Sequence, residues 1–475
     1  MIRLFQKTFL LALAIVGAAN GASGFSLLGP FDTWQATAIG YNSPGTFAFA
    51  DIGGPMNRGE EYRWNERTIT YGFDKSFVDY FGQKGVSEVN KAVAILNNLP
   101  PFSSMSASLN EFPTDSKRIN YQATSVLLLD LKSFALQTLV EEMGLASPER
   151  YVWCLRSRIV QPSGTATNYT VIMRNFDPVN LFPSKYVNNV LYTYQVVEFP
   201  APDSFSDAIE KAVDPFASFT SVASGNVIAE DPFGSLLLSA LVYGEFYTGL
   251  TRDDIGGLRY LYSARGPYAQ VNEENLIPGT IGASLAGSSP WSPAGGAGAS
   301  NAVVNLAPRP GVDKIVFRQV SAPFGIFNGV LITNTYTGTY YDVRGVLLRQ
   351  NVQRVSLVGP DILFKAGDLG VGSPSGVPFE RARTFTTVNN SGLNSSGTLL
   401  AGPGEILPTV SITFGNIGPF IINQFPNFMT EASPLSEGWV WGSFDGTTNV
   451  PFVYPAGPNG KGTSIQVLQQ QVLNQ

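Results

Sequence analysis

The sequence predicts an α+β N-terminal domain followed by an all-β, sandwich-like C-terminal domain. Three observations carry this expectation. Within residues 62–265, runs that alternate apolar and polar side chains are interleaved with stretches whose apolar residues recur at helical spacing. Residues 266–302 are rich in Gly, Ala, Ser and Pro, the composition of a flexible connection. From 303 to 475, short β-like runs succeed one another, with turn residues between them and no helical period.

The elements follow in order. Residues 1–24 read as a secretory leader: Arg3 and Lys7 flank the start of an apolar run over 8–19, and Ala22-Ser23-Gly24 satisfies the small-x-small rule for cleavage before Phe25. The run is shorter than the roughly 20 apolar residues that span a bilayer. Residues 25–61 form an irregular segment of Gly, Pro and aromatics. A strand is expected at 68–73, then a helix at 87–96 that Pro100-Pro101 stops. Residues 126–129 lead into a second helix ending at Gly144. β-like runs cover 169–173 and 190–197, and a short helix is expected at 206–213. A last helix spans 251–262, where Asp253 and Asp254 suit the positive N-terminal end. Beyond the connection, strands are expected at 314–320, 329–335, 338–343, 353–358, 361–364, 409–414 and 439–444.

Composition bounds the function. The chain has 30 Lys and Arg against 36 Asp and Glu, a net charge of −6, which argues against nucleic acid or an anionic membrane as the main partner. Its 44% hydrophobic content marks a folded chain despite 49 Gly and 32 Pro. The single cysteine, Cys154, can make no internal disulfide and, between Trp153 and Leu155, reads as a buried thiol. With no histidine in the chain, Ser-His-Asp and Cys-His catalysis are excluded. Gly295-Gly296-Ala297-Gly298 lies in the connection and not between a strand and a helix, so no phosphate cradle is expected. Asp361, Asp368 and Glu405 match no calcium-loop spacing. The aromatic residues Phe420, Phe425, Phe428, Trp439, Trp441, Phe444, Phe452 and Tyr454 suit a β core or a binding face for glycan or protein.

The helix before Gly144 is where chemistry would sit. At about 100° per residue, Ala135, Leu136, Leu139, Val140 and Met143 form an apolar stripe. Ser133, Gln137 and Glu141 form a separate polar stripe, expected to line a cleft or face water. Glu141 and Glu142 are adjacent and diverge, so they read as a solvated face and not as an acid/base pair. Gly144 has the place of a left-handed C-terminal glycine.

Residues 137–147 fall in the frame H-E-x-x-H-x-x-G-x-x-H, in which two histidines one turn apart and a third after the glycine hold zinc. Gly144 is in its place. The three ligand positions hold Gln137, Glu141 and Ser147, and the general-base position holds Thr138. Two flanking segments strengthen the comparison. Residues 64–96 look like the opening strand and first helix of matrixin catalytic domains. Leu250-Thr251-Arg252-Asp253-Asp254-Ile255-Gly256-Gly257-Leu258-Arg259-Tyr260-Leu261-Tyr262 looks like their closing helix. The stretch 62–265 thus resembles a matrixin-type metzincin peptidase. A Met-turn would fall at Leu241-Val242-Tyr243, without its methionine.

The resemblance implies a metzincin-like α+β fold without the chemistry. Gln137 and Ser147 are poor zinc ligands, Thr138 cannot replace a glutamate base, and one carboxylate cannot hold zinc. No catalytic residue, metal or cofactor is therefore predicted. The expected function is that of an exported pseudo-peptidase acting in extracellular or cell-surface binding or assembly. Its partner would be a protein or a cell-surface polymer, with no membrane insertion once the leader is gone. Two alternatives stand beside it: a divergent secreted metallopeptidase with non-histidine ligands, and a structural subunit of an extracellular layer or fibre.

Overall fold

A computed structural model of the chain describes residues 23–29, 56–64, 67–161, 167–199, 205–223, 241–263, 292–293, 312–320, 332–341, 347–356, 360–366, 379–386, 404–414, 440–456 and 460–462. The expected leader up to residue 22 and nearly all of the 266–302 connection lie outside these residues. So do Phe420, Phe425, Phe428, Trp439 and Asp368.

The centre of the molecule is a mixed sheet built around Thr68–Phe73. Its alternation buries Ile69 and Tyr71, as the sequence expects. Val316–Gln319 pairs with it in parallel on one side and Ile362–Lys365 in parallel on the other. Gly404–Phe414 then joins Ile362–Lys365 in parallel, Phe379–Thr386 pairs antiparallel with Gly404–Phe414, and Tyr62–Arg63 pairs with its first residues.

Strands from both sides of the 266–302 connection therefore share one sheet. The expected separation into a 62–265 unit and a self-contained sandwich at 303–475 does not describe these strands. The reason is physical. Alternation tells which face of a strand is buried, but not which strand lies beside it, and parallel neighbours are joined only through long crossovers. Among the described residues, a more separate ribbon is formed by Ser292–Pro293, Leu347–Ser356 and Ile332–Tyr341. Its long strand Ile332–Tyr341 merges two runs that the sequence reads as separate strands, and Phe379–Thr386 is a strand that reading missed.

The helix Lys75–Asn97 covers one face of the sheet. It starts well before the expected residue 87, because Asp74 caps it by accepting from the Phe77 amide at 3.0 Å. Gly82, at φ +60, interrupts it and hides the first half from a periodicity reading. Phe77 and Phe81 from this helix meet Phe364, Phe414, Trp441 and Tyr454 from the C-terminal region, with ring centroids 5.0–6.3 Å apart. Such pairs add about 0.5–1.5 kcal/mol each beyond area burial. Trp441, Phe444 and Tyr454 are thus core residues, not an exposed binding face.

Three further local expectations change. Residues 128–130 are a strand, not helix; Leu128 pairs with Val440 in parallel, and Asp130 then caps the helix Leu131–Glu142 by accepting from the Ser133 amide at 3.0 Å. Phe205–Ala212 is a strand paired along the length of Val190–Phe199, although its composition favours helix; a ready-made edge outweighs weak propensity. Phe25–Leu27, expected to be irregular, is a buried strand between Leu145–Ala146 and Asn175–Phe176.

Candidate functional site

The helix Leu131–Glu142 carries the motif frame, and all twelve of its residues are buried. The helix Lys75–Asn97 packs against it, and Phe134 meets Trp441 edge-on at 5.3 Å. The polar stripe does not open to solvent. Ser133 lies under the strand Glu245–Tyr247, where the Tyr247 amide donates to its hydroxyl at 2.8 Å. Gln137 is fully buried, and neither end of its amide bonds a protein atom among the described residues. Thr138 donates back to the Phe134 carbonyl at 2.7 Å, a bond internal to the helix. Glu141 is 6% exposed and Glu142 fully buried, so the expected solvated carboxylate face is a buried one. Glu141 lies near Tyr151, whose hydroxyl is pushed up to about 12, mainly by burial.

The turn after the helix is as expected. Gly144 has φ +104, and a Cβ there would come within 2.3 Å of the Tyr62 carbonyl oxygen, so only glycine fits. Three donors satisfy the last carbonyls that a helix leaves unpaired. They are the Trp64 indole on Glu142 at 2.9 Å, the Tyr262 hydroxyl on Met143 at 2.5 Å and the Leu28 amide on Gly144 at 2.9 Å. Residues from the 62–64 segment, the helix Leu131–Glu142 and the helix Arg252–Tyr262 therefore meet at one point. Ser147 follows as the start of the short helix Pro148–Tyr151; its hydroxyl makes no protein hydrogen bond among the described residues. Among those residues no three His, Cys, Asp or Glu side chains converge as a metal site.

The closing helix Arg252–Tyr262 forms where the sequence places it. Thr251 and Asp254 make a reciprocal capping box. Asp254 does more than cap: it also accepts from the Ser221 hydroxyl at 2.8 Å and from the amides of Val222 and Ala223 at 3.1 and 2.9 Å. Asp253 accepts from the amides of Gly24 at 2.9 Å and Asn188 at 2.5 Å. Glu149 gathers the amides of Thr220 and Ser221 at 3.0 and 2.9 Å. These three buried carboxylates tie the N-terminal strand, the 188 turn and the 220–223 loop to one helix end. The sequence reading of Asp253 and Asp254 as a helical first turn holds, but it missed this convergence. Gly256 and Gly257 are the signal that was available: a Cβ at Gly257 would press on Phe25 and Leu145, at 3.1 and 2.6 Å, which marks a close backbone approach.

Other expected residues fall into structural roles. Asp361 is buried and accepts from the Thr70 amide and hydroxyl, both at 2.7 Å, stitching two strands of the central sheet. Cys154 is buried and reduced, with its thiol 3.5 Å from the Tyr151 carbonyl. No helix among the described residues is long and apolar enough to cross a membrane. Comparison of the chain with protein-family profiles, with characterised proteins and with solved structures finds no match in any of the three.

Proposed function

We propose that the chain is an exported, non-catalytic binding or assembly protein whose 62–265 region follows the metzincin pattern without its chemistry. The observation that carries this reading is the state of the motif helix. Gln137, Thr138, Glu141 and Ser147 occupy the positions that would supply ligands and base, and all four are buried. A hydrolytic centre must admit a substrate and hold a water beside an acid, a base or a metal. A polar stripe buried along its length offers neither access nor that set of groups.

The binding role falls on the hairpins instead. Cys154–Val160 with Thr167–Ile172, and Val190–Phe199 with Phe205–Ala212, present Ile159, Val160, Tyr169 and Tyr194 to solvent. Exposed apolar and aromatic side chains on these two hairpins suit contact with a protein or a cell-surface polymer. The test is metal analysis of the purified protein, with cleavage of a generic peptide library measured with and without chelator. The expected result is no stoichiometric zinc and no chelator-sensitive cleavage. Bound zinc with chelator-sensitive cleavage would replace this reading with that of a divergent metallopeptidase.

A further inference from the structure

In the hairpin of Cys154–Val160 with Thr167–Ile172, the second strand is paired on one side only among the described residues. Alternation divides its side chains between two faces. Tyr169 and Val171 lie on the face that meets the second hairpin. Val171 packs on Leu155 and Ala208, and the Tyr169 hydroxyl shares the Glu198 carboxylate with Arg158, whose Nε donates to it at 2.9 Å. Asn168 and Thr170 lie on the opposite face and are exposed.

A strand paired on one side presents backbone N–H and C=O groups that water or another strand must satisfy. Charged residues blunt such edges against unwanted pairing. Other described edges of this chain carry them: Lys117 and Arg118 in Lys117–Ile119, Arg318 in Val316–Gln319, and Glu380, Arg381 and Arg383 in Phe379–Thr386. Thr167–Ile172 has no charge and no proline, and every residue but Asn168 is β-branched or aromatic. Ile332–Tyr341 shares the uncharged composition and serves below as the control.

We propose that Thr167–Ile172 is a docking edge for a second copy of this chain, joined as a two-fold antiparallel dimer. A two-fold axis normal to the strand sets residues of the same parity opposite each other, so corresponding faces of the two copies stay on one side. With the axis at Thr170, Thr170 stands opposite itself, Tyr169 opposite Val171 of the second copy, and Asn168 opposite Ile172 of the second copy. Thr–Thr and aromatic–β-branched pairs stabilise antiparallel strands, and no like charges meet. A charged peptide or polymer finds no complementary charge on this strand, whereas a second copy matches it at each position. Stable interfaces bury about 1,200 Å² or more. A six-residue edge is short beside that, so monomer and dimer exchange with protein concentration. The pairing gives the hairpins a partner and rests on the binding role assigned to them above.

The test is sedimentation velocity of the purified protein over a range of concentrations, with hydrogen exchange at both ends of the range. The mean mass should rise from monomer toward dimer, and amides within Thr167–Ile172 should gain protection as it does. Thr170 is exposed, so Thr170→Lys and Thr170→Glu leave the fold intact while setting like charges opposite each other at the axis. Each variant alone should weaken association at least tenfold, and an equimolar mixture of the two should restore it. Thr337→Lys, in the control edge, should leave association unchanged. A parent that stays monomeric, a Thr170→Lys chain that associates like the parent, a mixture that stays monomeric, or loss of association in Thr337→Lys overturns the proposal. A monomeric parent without chelator-sensitive cleavage sinks the pairing and leaves the non-catalytic reading standing. Association together with chelator-sensitive cleavage upholds the pairing and sinks the non-catalytic reading.

Discussion

Replacing Phe414 with alanine tests whether the chain's two halves are one cooperative structure. Phe414 is fully buried in Gly404–Phe414 and lies 5.9 Å from Phe77, 5.7 Å from Phe81, 6.4 Å from Phe364 and 5.1 Å from Trp441. Two of those partners belong to the helix Lys75–Asn97, more than 300 residues earlier in sequence. Truncating a buried phenylalanine costs about 3–5 kcal/mol through lost transfer energy and the cavity left behind. The aromatic contacts place this site toward the upper end, because four ring neighbours lose a partner at once and cannot all close the gap. Denaturant unfolding followed by tryptophan fluorescence gives the total. Hydrogen exchange then shows where it is felt. The amides of the helix Lys75–Asn97 should lose protection together with those of Gly404–Phe414, because both elements pack through the same ring cluster. Unchanged protection in the helix, with loss confined to the C-terminal strands, would refute the shared core and restore an independent C-terminal domain.

Two further predictions concern buried polar groups. Asp130 is fully buried, and burial holds its carboxyl up at about 6 in spite of Lys132 and the Ser133 bonds. Between the ordinary carboxylate value near 4 and about 6, the folded chain keeps a proton that the unfolded chain releases, so stability falls as pH rises through that window, by about 3 kcal/mol in all. Asp130→Asn retains the helix cap and removes the titration, so its stability should change less from pH 4 to 6 than the parent's; parallel profiles by urea unfolding would contradict this. Gln137→Leu removes an amide that has no partner among the described residues and replaces it with an apolar side chain of similar volume, so it should leave stability unchanged or raise it by about 1–2 kcal/mol. A loss of several kcal/mol, read as a fall in Tm, would mean that Gln137 has a partner that matters and that the motif position is still in use.

Some of this was legible in the order of residues. The strand Thr68–Phe73, the capped helix Arg252–Tyr262 and the stop at Gly144 depend on alternation, on a Thr251/Asp254 box and on one glycine at positive φ. These are interactions among near neighbours, and sequence spacing alone sets them. The apolar stripe Ala135, Leu136, Leu139, Val140 and Met143 was legible for the same reason. So was the absence of histidine, which rules out the metzincin zinc ligands whatever the fold.

The tertiary structure decided the rest. That Val316–Gln319 and Ile362–Lys365 flank Thr68–Phe73 follows from no local rule, because backbone hydrogen bonding is alike for every strand and only packed side chains choose the neighbour. Phe205–Ala212 became a strand because Val190–Phe199 offered it an edge. The stripe Ser133, Gln137 and Glu141 reads as lining a cleft or facing water, yet all three are buried and Ser133 lies under Glu245–Tyr247, since periodicity fixes which residues share a face and not what lies against that face. Phe25–Leu27 gave no signal at all in its irregular surroundings. It is a strand because two others stand one on each side of it, and because a buried Asp253, more than 200 residues away in sequence, holds the amide that precedes it.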